Sequence, residues 1–354
     1  MKKLNVCVLF GGVSPEHEVS LRSAESVLNH IDKEKYQVFP VGITKEGDWI
    51  LFAGSDYSML PAGTWQNYEG NRRAAISPVR GQGLLSFEKD GVVRERIDVV
   101  FPVLHGENGE DGSMQGLLQI AGIAYVGPRV AASSACMDKT ITKLIVDRTS
   151  VAQASWQLVT AAEYAHSPQR VIETVERRFP YPVFVKPAGT GSSVGVSKAK
   201  DRQSLTAALS DAFRYDRKVL VEEFIDGQEV EVAVLGNDNP FASICGEIDS
   251  GAEFYDYGAK YITNTSRAYI PARIAEHTAE QIREQAVQVY LAMGCRGLSR
   301  VDFFVTRKDQ RVIFNEINTI PGFTSISMYP KLFAASGIAY SELIDDLIAL
   351  ALEE

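Results

Sequence analysis

Residues 184–197 read Phe184-Val185-Lys186-Pro187-Ala188-Gly189-Thr190-Gly191-Ser192-Ser193-Val194-Gly195-Val196-Ser197 and form the most informative stretch of the chain. An apolar strand delivers Lys186 into a loop whose three glycines let backbone N–H groups approach an anion. Ser192 and Ser193 add hydroxyl donors to the same loop. The stretch favours a phosphate-binding loop, and a Gly- and Ser-rich surface turn is the alternative that it leaves open.

The spacing of this loop excludes two common nucleotide-binding motifs. It does not have the GxxxxGK[ST] spacing of a P-loop. No helix-opening GxGxxG follows the first strand of the chain either, which excludes the dinucleotide-binding fingerprint.

The first third of the chain alternates predicted strands with a helix. Residues 5–10 form an apolar run that enters the Gly11-Gly12 turn, and a helical pattern follows. Residues 36–43 and 97–104 predict further strands, and a polar loop begins at His105. This order predicts an α/β fold with a parallel sheet, whose ligand crevice lies beyond the carboxyl ends of the strands. Residues 45–95 are interpreted as peripheral hairpins and loops.

The pattern changes twice along the chain. After Gly127-Pro128 it becomes helical over residues 131–149 and then returns to strands, and a new series of strands starts near Asp226-Gly227. We therefore expect three domains, formed by residues 1–127, 128–225 and 226–354. In the last domain, Thr278 with Gln281 predicts a side-chain cap for a helix that closes at Gly294, and residues 340–352 predict a terminal helix.

Two strands near the C-terminus carry polar side chains in a pattern that suits a metal ion. Because side chains alternate along a strand, Arg300 and Asp302 share one face of the first, and Glu316 and Asn318 share one face of the second. Carboxylate and amide oxygens are ligands that Mg²⁺ prefers. Solvent-facing alternation is the alternative, but one face keeps apolar residues, which favours the metal site: Phe303, Phe314 and Ile317.

Three further features leave their roles open. Glu16 and Glu18, near the start of the first helix, could receive a substrate ammonium or stabilise the helix dipole. His105 has access to the predicted crevice, although a single histidine is commonly a structural hydrogen-bonding residue. The aromatic segment 254–261 is either a lid or a packed surface loop.

Composition narrows the partners of the protein. The chain has 36 Lys and Arg against 45 Asp and Glu, a net charge of −9, which argues against nucleic acid or an anionic membrane as the main partner. Four separated cysteines without a CxxC pair indicate neither a zinc site nor a disulfide framework. The N-terminal apolar run is too short for a signal peptide, and a cytoplasmic location is expected.

Taken together, eight segments resemble those of the ATP-grasp ligases, specifically the D-alanine:D-alanine ligase family, and they run in family order over nearly the whole chain. They are Phe10-Gly11-Gly12 with residues 14–20, Leu104-His105-Gly106 with residues 109–112, Met137-Asp138-Lys139, Val185-Lys186-Pro187, residues 191–195, residues 254–257 with Lys260-Tyr261, Arg300-Val301-Asp302, and residues 315–319 with 321–324.

The resemblance implies an enzyme that uses ATP to join two D-alanine molecules, with ATP sandwiched between the central and C-terminal domains. It implies Mg²⁺ or Mn²⁺, with two ions, and the metal ligands Asp302, Glu316 and Asn318, in agreement with the strand pattern. A homodimer is also expected. The residues implied to contact ATP are Lys139, Lys186, Ser192, Ser193, Glu222, Phe224, Ile225, Glu229, Lys260 and Phe304.

The resemblance also assigns roles around the two D-alanine molecules. Glu16 would hold the first ammonium, a hydrogen-bonded set of Glu16, Ser192 and Tyr261 would tie the lid over residues 250–268 to the substrate, and Arg300 with the Gly322 N–H would stabilise the oxyanion. The residues implied to bind substrate are Glu16, Val19, His105, Arg300, Gly322, Ser327 and Met328. A ligase with D-lactate or D-serine as the acceptor, and a non-enzymatic nucleotide sensor, are the alternatives.

Overall fold

The computed structural model describes residues 3–249 and 267–353. In these two ranges no helix combines the length and the apolar character that crossing a membrane would require. The described residues form three sheets with helices packed on them, and each sheet occupies its own stretch of the chain. The architecture is mixed α/β, as the sequence predicts.

The first sheet has eight strands in the order β6-β5-β4-β3-β2-β1-β7-β8. β1, β2, β7 and β8 pair in parallel, and the β3–β6 half is antiparallel. Residues 45–95 therefore do form hairpins, but these extend the main sheet. The strands and helices of this part are β1 (Leu4–Gly11), α1 (His17–His30), β2 (Tyr36–Ile43), β3 (Trp49–Leu51), β4 (Arg72–Ile76), β5 (Leu84–Glu88), β6 (Gly91–Glu95), β7 (Val99–Val103), α2 (Ser113–Ala121) and β8 (Ala124–Tyr125).

The central part is a four-stranded antiparallel sheet in the order β11-β10-β12-β9, with helices on it. Its elements are α3 (Val130–Met137), α4 (Lys139–Val146), β9 (Trp156–Thr160), α5 (Ala161–His166), α6 (Pro168–Arg178), β10 (Val183–Pro187), β11 (Ser197–Ala199), α7 (Arg202–Ala212) and β12 (Lys218–Glu223). The single helix expected over residues 131–149 is wrong, because Asp138 is extended and caps a second helix with its side chain.

The last sheet is antiparallel, in the order β16-β15-β13-β17-β18, and β14 pairs with β13. Its elements are β13 (Gly227–Leu235), β14 (Phe241–Ala242), β15 (Gly246–Asp249), β16 (Arg267–Tyr269), α8 (Glu276–Ala292), β17 (Leu298–Thr306), β18 (Val312–Asn318), α9 (Met328–Ala335) and α10 (Tyr340–Ala351). The cap predicted at Thr278 is wrong, because α8 begins two residues earlier and Ala275 stands at its N-cap without a side-chain hydrogen bond.

The pairing of β17 with β18 contains a bulge. Asp302 pairs with Glu316 and Phe303 pairs with Phe314, so Asn315 is the extra residue. The bulge resets the alternation of β18, because without it Phe314 and Glu316 would point to the same face. Phe314 is instead fully buried with Phe303, while Glu316 lines a cavity.

The first and last parts of the chain share one hydrophobic core. Phe101 of β7 packs edge-on against Phe323 at 5.9 Å between ring centroids, and Phe323 also contacts Tyr329 of α9. Leu343 and Leu347 of α10 are fully buried in the same core. Phe323 is thereby fixed, and the residues just before it are anchored between the first and last sheets. The predicted domain boundaries remain predictions.

Candidate functional site

One cavity of about 1320 Å³ lies where the three sheets meet. It begins at the carboxyl ends of β1 and β7, where the sequence predicts the crevice. Most of the expected site residues line it: Glu16, Val19, His105, Lys139, Lys186, Ser192, Ser193, Phe224, Ile225, Glu229, Arg300, Phe304, Glu316, Asn318, Gly322, Ser327 and Met328. Glu222 and Asp302 lie directly behind its wall, 3% and 1% exposed. Lys260, Tyr261 and residues 250–266 of the predicted lid lie outside the described residues, and the last two residues of that segment, Arg267 and Ala268, belong to β16.

The glycine- and serine-rich loop after β10 is held in a defined conformation. Ser192 and Ser193 have positive φ angles of 46° and 60°, a region that residues other than glycine seldom occupy. Lys139 Nζ donates to the Thr190 carbonyl oxygen at 2.5 Å, and its backbone N–H donates to Ala188 at 2.9 Å. The lysine and the loop, more than 45 residues apart in sequence, therefore form one unit beside the cavity.

The carboxylate of Glu16 joins the first sheet to this loop. Ser192 Oγ donates a hydrogen bond to Glu16 Oε1. A Cβ atom on Gly106 or Gly191 would lie 2.5 or 2.8 Å from Glu16 Oε2, so a side chain at either position would displace this carboxylate, and Gly106 also has a positive φ of 72° that favours glycine. Glu16 stands at the N-cap of α1 without a side-chain cap hydrogen bond, so the interaction with the helix dipole stays open beside the contact with the loop.

Glu18 and His105 have different environments. Glu18 is exposed and paired with Lys45, whose hydrogen bond lowers the Glu18 pKa, so it takes no part in the cavity. His105 is buried, and burial lowers its pKa. Its Nδ1–H donates to the Ile320 carbonyl at 3.0 Å, which leaves Nε2 to accept from Ser23 Oγ at 3.2 Å.

Glu110 lies in the family segment 109–112, but the sequence assigned it no role; with His105 it holds the segment after β18 by hydrogen bonds. Its Oε1 accepts from the Ile320 N–H at 3.1 Å, and its Oε2 accepts from the Gly106 N–H at 2.8 Å. Burial, and then the negative charge of Glu16, raises the Glu110 pKa to about 8. Both hydrogen-bonding atoms of Ile320 are therefore held by residues that follow β7, two residues before Gly322.

Three carboxylates lie side by side across the last sheet. Glu231, Asp302 and Glu316 occupy paired positions on β13, β17 and β18. Arg300 binds both oxygens of Asp302, at 2.8 and 2.7 Å, and lies 3.2 Å from Glu231. Burial lowers the Arg300 pKa, but the negative charges of Asp302 and Glu231 raise it by a larger amount. The net shift of the pKa is upward, so Arg300 is cationic. Glu231 is a second residue that sequence analysis missed.

The oxygen atoms along this row of carboxylates suit a hard cation as ligands. Asn318 Nδ2 donates to Asp302 Oδ2 at 3.1 Å, which directs its amide oxygen elsewhere as a potential ligand. Two carboxylates and an amide oxygen are the chemistry that Mg²⁺ and Mn²⁺ use. Within residues 3–249 and 267–353, no three His, Cys, Asp or Glu side chains form a metal-binding group, and the expected set contains only two carboxylates.

On the opposite wall, Glu222 binds two lysines. Its Oε1 lies 2.5 Å from Lys143 Nζ, and its Oε2 lies 2.5 Å from Lys186 Nζ. Burial raises the Glu222 pKa, but the two ammonium groups lower it more, to about 2. The negative charge of Glu316 acts on both Lys139 and Lys186, so this wall faces the carboxylate row across the cavity.

Aromatic side chains line the end of the cavity next to β12. The rings of Phe184 and Phe224 lie 6.2 Å apart, and Lys198 Nζ lies 4.1 Å from the centre of the Phe224 ring. Glu229 pairs in register with Phe304 at the same end. A flat, apolar group with polar edges would fit between these side chains.

Two family models match the chain and decide its family. "D-ala D-ala ligase N-terminus" matches residues 5–128, and "D-ala D-ala ligase C-terminus" matches residues 145–349. The chain belongs to the D-alanine–D-alanine ligase family. This family consists of ATP-dependent, ADP-forming ligases, and it has the ATP-grasp fold. The fold and the family predicted from the sequence are confirmed.

Curated relatives in this family match over the full length. The D-alanine–D-alanine ligase of Caldicellulosiruptor bescii is 51% identical over 100% of this chain and 96% of its own. That of Acetivibrio thermocellus is 50% identical, over 99% of this chain and 96% of its own.

Solved structures in the ligase family also superpose along the whole chain. The VanG D-Ala:D-Ser ligase from Enterococcus faecalis is 38% identical, with a TM-score of 0.90, and the match covers 99% of this chain and all of that one. The D-alanine–D-alanine ligase from Coxiella burnetii is 34% identical, with a TM-score of 0.86, over 100% of this chain and 95% of its own.

Proposed function

We propose that this protein joins two D-alanine molecules into D-alanyl-D-alanine, converts ATP to ADP and phosphate, and thereby supplies a peptidoglycan precursor. The observation that carries the proposal is one shared cavity in which buried lysines and a Ser/Gly loop face a row of carboxylates. Full-length relatives named D-alanine–D-alanine ligase support the choice of substrate.

The lysine wall suits the nucleotide. Lys139 and Lys186 would bind ATP phosphates, together with the hydroxyls and N–H groups of the loop at Ser192 and Ser193. Adenine would lie at the aromatic end, near Phe224 and Ile225. Glu222 would recognise the adenine amino group, Glu229 the ribose hydroxyls, and Phe304 would line the site. Lys260, outside the described residues, would reach the γ-phosphate.

The carboxylate row suits a divalent cation held by Asp302, Glu316 and Asn318. Mg²⁺ or Mn²⁺, with two ions, would neutralise the phosphate charge that develops during transfer. Lys139 and Lys186 would add positive charge from the opposite wall. Arg300, fixed by Asp302 and Glu231, keeps a guanidinium at the junction between the row and the rest of the cavity.

Peptide bond formation requires an activated carboxylate. The first D-alanine carboxylate would attack the γ-phosphate of ATP, giving D-alanyl phosphate and ADP. The neutral amine of the second D-alanine would then attack this acyl phosphate and release phosphate. Arg300 and the Gly322 N–H would stabilise the oxyanion.

The family resemblance implies the substrate residues, and their position along the same cavity supports these roles. Glu16 would hold the first ammonium, close to Val19 and His105. Ser327 and Met328 would hold the second carboxylate, where the Thr324 N–H already donates to Ser327 Oγ at 3.0 Å. Tyr261, outside the described residues, would complete the hydrogen-bonded set with Glu16 and Ser192 and help to exclude water.

The domains, the cellular location with the oligomeric state, and the partners complete the proposal. The domains are residues 1–127, which bind substrate, residues 128–225, and residues 226–354 with the metal site. The enzyme acts in the cytoplasm as a homodimer. Its partners are small molecules, with no nucleic acid and no membrane among them.

A D-alanine:D-serine ligase is the second candidate, because the VanG D-Ala:D-Ser ligase superposes with a TM-score of 0.90. Incubating the protein with ATP, Mg²⁺ and equal amounts of D-alanine, D-serine and D-lactate, followed by mass spectrometry, separates the candidates. We expect D-alanyl-D-alanine as the main product and one ADP for each dipeptide. A mixed D-alanyl-D-serine product as the major species would replace the proposal, and ADP formation without any dipeptide would refute both.

A further inference from the structure

Lys143 lines the same wall of the cavity as Lys139 and Lys186, but the proposed mechanism gives it no role. It lies one helical turn after Lys139 on α4, so the two side chains share a face. Its ammonium group lies 2.5 Å from Glu222 Oε1, and both side chains are only 4% exposed. Burying an ammonium group is costly unless it is paired, and Glu222 supplies the opposite charge here.

The second lysine on the same carboxylate is more accessible. Lys186 lies 2.5 Å from Glu222 Oε2 and is 17% exposed. Glu222 is thus held from its buried side by Lys143 and from its cavity side by Lys186. Burial lowers the Lys143 pKa and Glu222 opposes that shift; with both lysines protonated, two ammonium groups share one carboxylate and the three groups carry one net positive charge. That excess charge faces the cavity where phosphates would bind.

We propose that Lys143 is a positioning residue for the phosphates of ATP, because by holding Glu222 it frees Lys186 to bind a phosphate oxygen. The inference rests on the proposed function, in which Lys186 binds ATP. If Lys143 were removed, the ion pair between Lys186 and Glu222 would be neutral and would satisfy both charges. Moving Lys186 to a phosphate would then leave Glu222 as a buried anion without a counter-charge, which is strongly unfavourable.

This role predicts that loss of Lys143 weakens the binding of a nucleotide with phosphates more than the binding of a nucleoside without them. Binding of ATP and of adenosine is measured by calorimetry with Mg²⁺ and without D-alanine, in the wild type and in Lys143→Met, which keeps the length of the side chain. We expect ATP to bind Lys143→Met about tenfold more weakly. Adenosine would also place its amino group at Glu222, but it has no phosphate to draw Lys186 away, so its affinity should change less than about threefold. Equal losses for both ligands, or no loss for either, would overturn the proposal.

Three variants control for folding and charge. Lys143→Arg keeps the positive charge and should bind ATP within about threefold of the wild type. Lys143→Met with Glu222→Gln removes the stranded anion, so its ratio of ATP affinity to adenosine affinity should return to that of Glu222→Gln alone. Lys35→Met removes an exposed lysine paired with Asp345, far from the cavity, and should change neither affinity. A Lys143→Arg variant as weak as Lys143→Met would also refute the role of charge.

The binding experiment is separate from the test of catalysis. Failure of the wild type to bind ATP would refute the proposed function itself. Normal dipeptide synthesis by the wild type, with no phosphate-dependent loss in Lys143→Met, would refute only the role of Lys143.

Discussion

Ser192 Oγ donates a hydrogen bond to Glu16 Oε1 between residues that are 176 positions apart in the sequence. The contact connects the turn after β1 to the loop after β10, and thus the first sheet to the central one. Both residues line the cavity. The hydrogen bond therefore fixes the position of the carboxylate proposed to bind substrate relative to the loop proposed to bind phosphate.

Removing either partner should produce the same defect. We expect Ser192→Ala and Glu16→Gln each to lower kcat/KM for D-alanine by at least about tenfold, and the double variant to be no worse than the poorer single one, because the pair acts as a unit. Steady-state kinetics of all three variants test this. Glu18→Gln, at an exposed residue paired with Lys45, should keep normal activity, and fully additive losses in the double variant would contradict the coupling.

The carboxylate row should be essential for turnover. Glu316→Gln removes one of the two expected anionic metal ligands while the ATP phosphates still require neutralisation, so it should abolish turnover and weaken Mg-ATP binding. Glu284→Gln, on the exposed face of α8, is the matched control and should behave as the wild type. Near-normal activity of Glu316→Gln at ordinary Mg²⁺ would show that the metal assignment is wrong.

Glu110 should make the stability of the protein depend on pH. Its pKa is raised to about 8 in the folded protein, above its ordinary value of 4.5, so the folded state binds more protons between these values. This contribution is complete below pH 4.5 and is lost as the pH rises through 8. Because the side chain is partly exposed to the cavity, we expect only about 1 to 2 kcal/mol between pH 6 and 9.

Urea unfolding of the wild type and of Glu110→Gln at several pH values tests this prediction. The wild type should lose more stability than the variant as the pH rises from 6 to 9. Parallel pH profiles for the two proteins would show that Glu110 is ionised throughout.

Asp138 should stabilise the helix that carries Lys139. Its Oδ1 accepts from the N–H groups of Thr140 and Ile141 at 2.9 and 3.2 Å, and its Oδ2 pairs with Lys218. Loss of such a cap costs about 1 to 2 kcal/mol, so Asp138→Ala should lower the free energy of unfolding by that amount. Asp138→Asn keeps a cap and loses only a partly exposed ion pair, so its loss should stay below about 1 kcal/mol. Equal losses in urea unfolding would contradict the capping role.

Local sequence patterns were sufficient for several parts of the site. The apolar run before Lys186, the glycine spacing after it and the alternation around Asp302 predicted strands and a loop that the structure contains. These features depend on neighbouring residues, because the period of a strand and the freedom of a glycine are properties of a short segment. The order of the segments added the resemblance to a family, and the family models confirm that family.

Only the tertiary structure decided which distant residues complete the site. Lys143 and Glu231 lie in no sequence motif, and Glu110 lies in a family segment that does not reveal its contact. Their importance arises from partners elsewhere in the chain: Glu222, Arg300 and Ile320. The bulge at Asn315, which turns Glu316 toward the cavity, depends likewise on how β18 pairs with β17. The sequence determined the local elements and the family, whereas the charge pairs and the strand register were decided by long-range packing, because a buried charge or a strand pairing is stabilised only by groups that folding brings together.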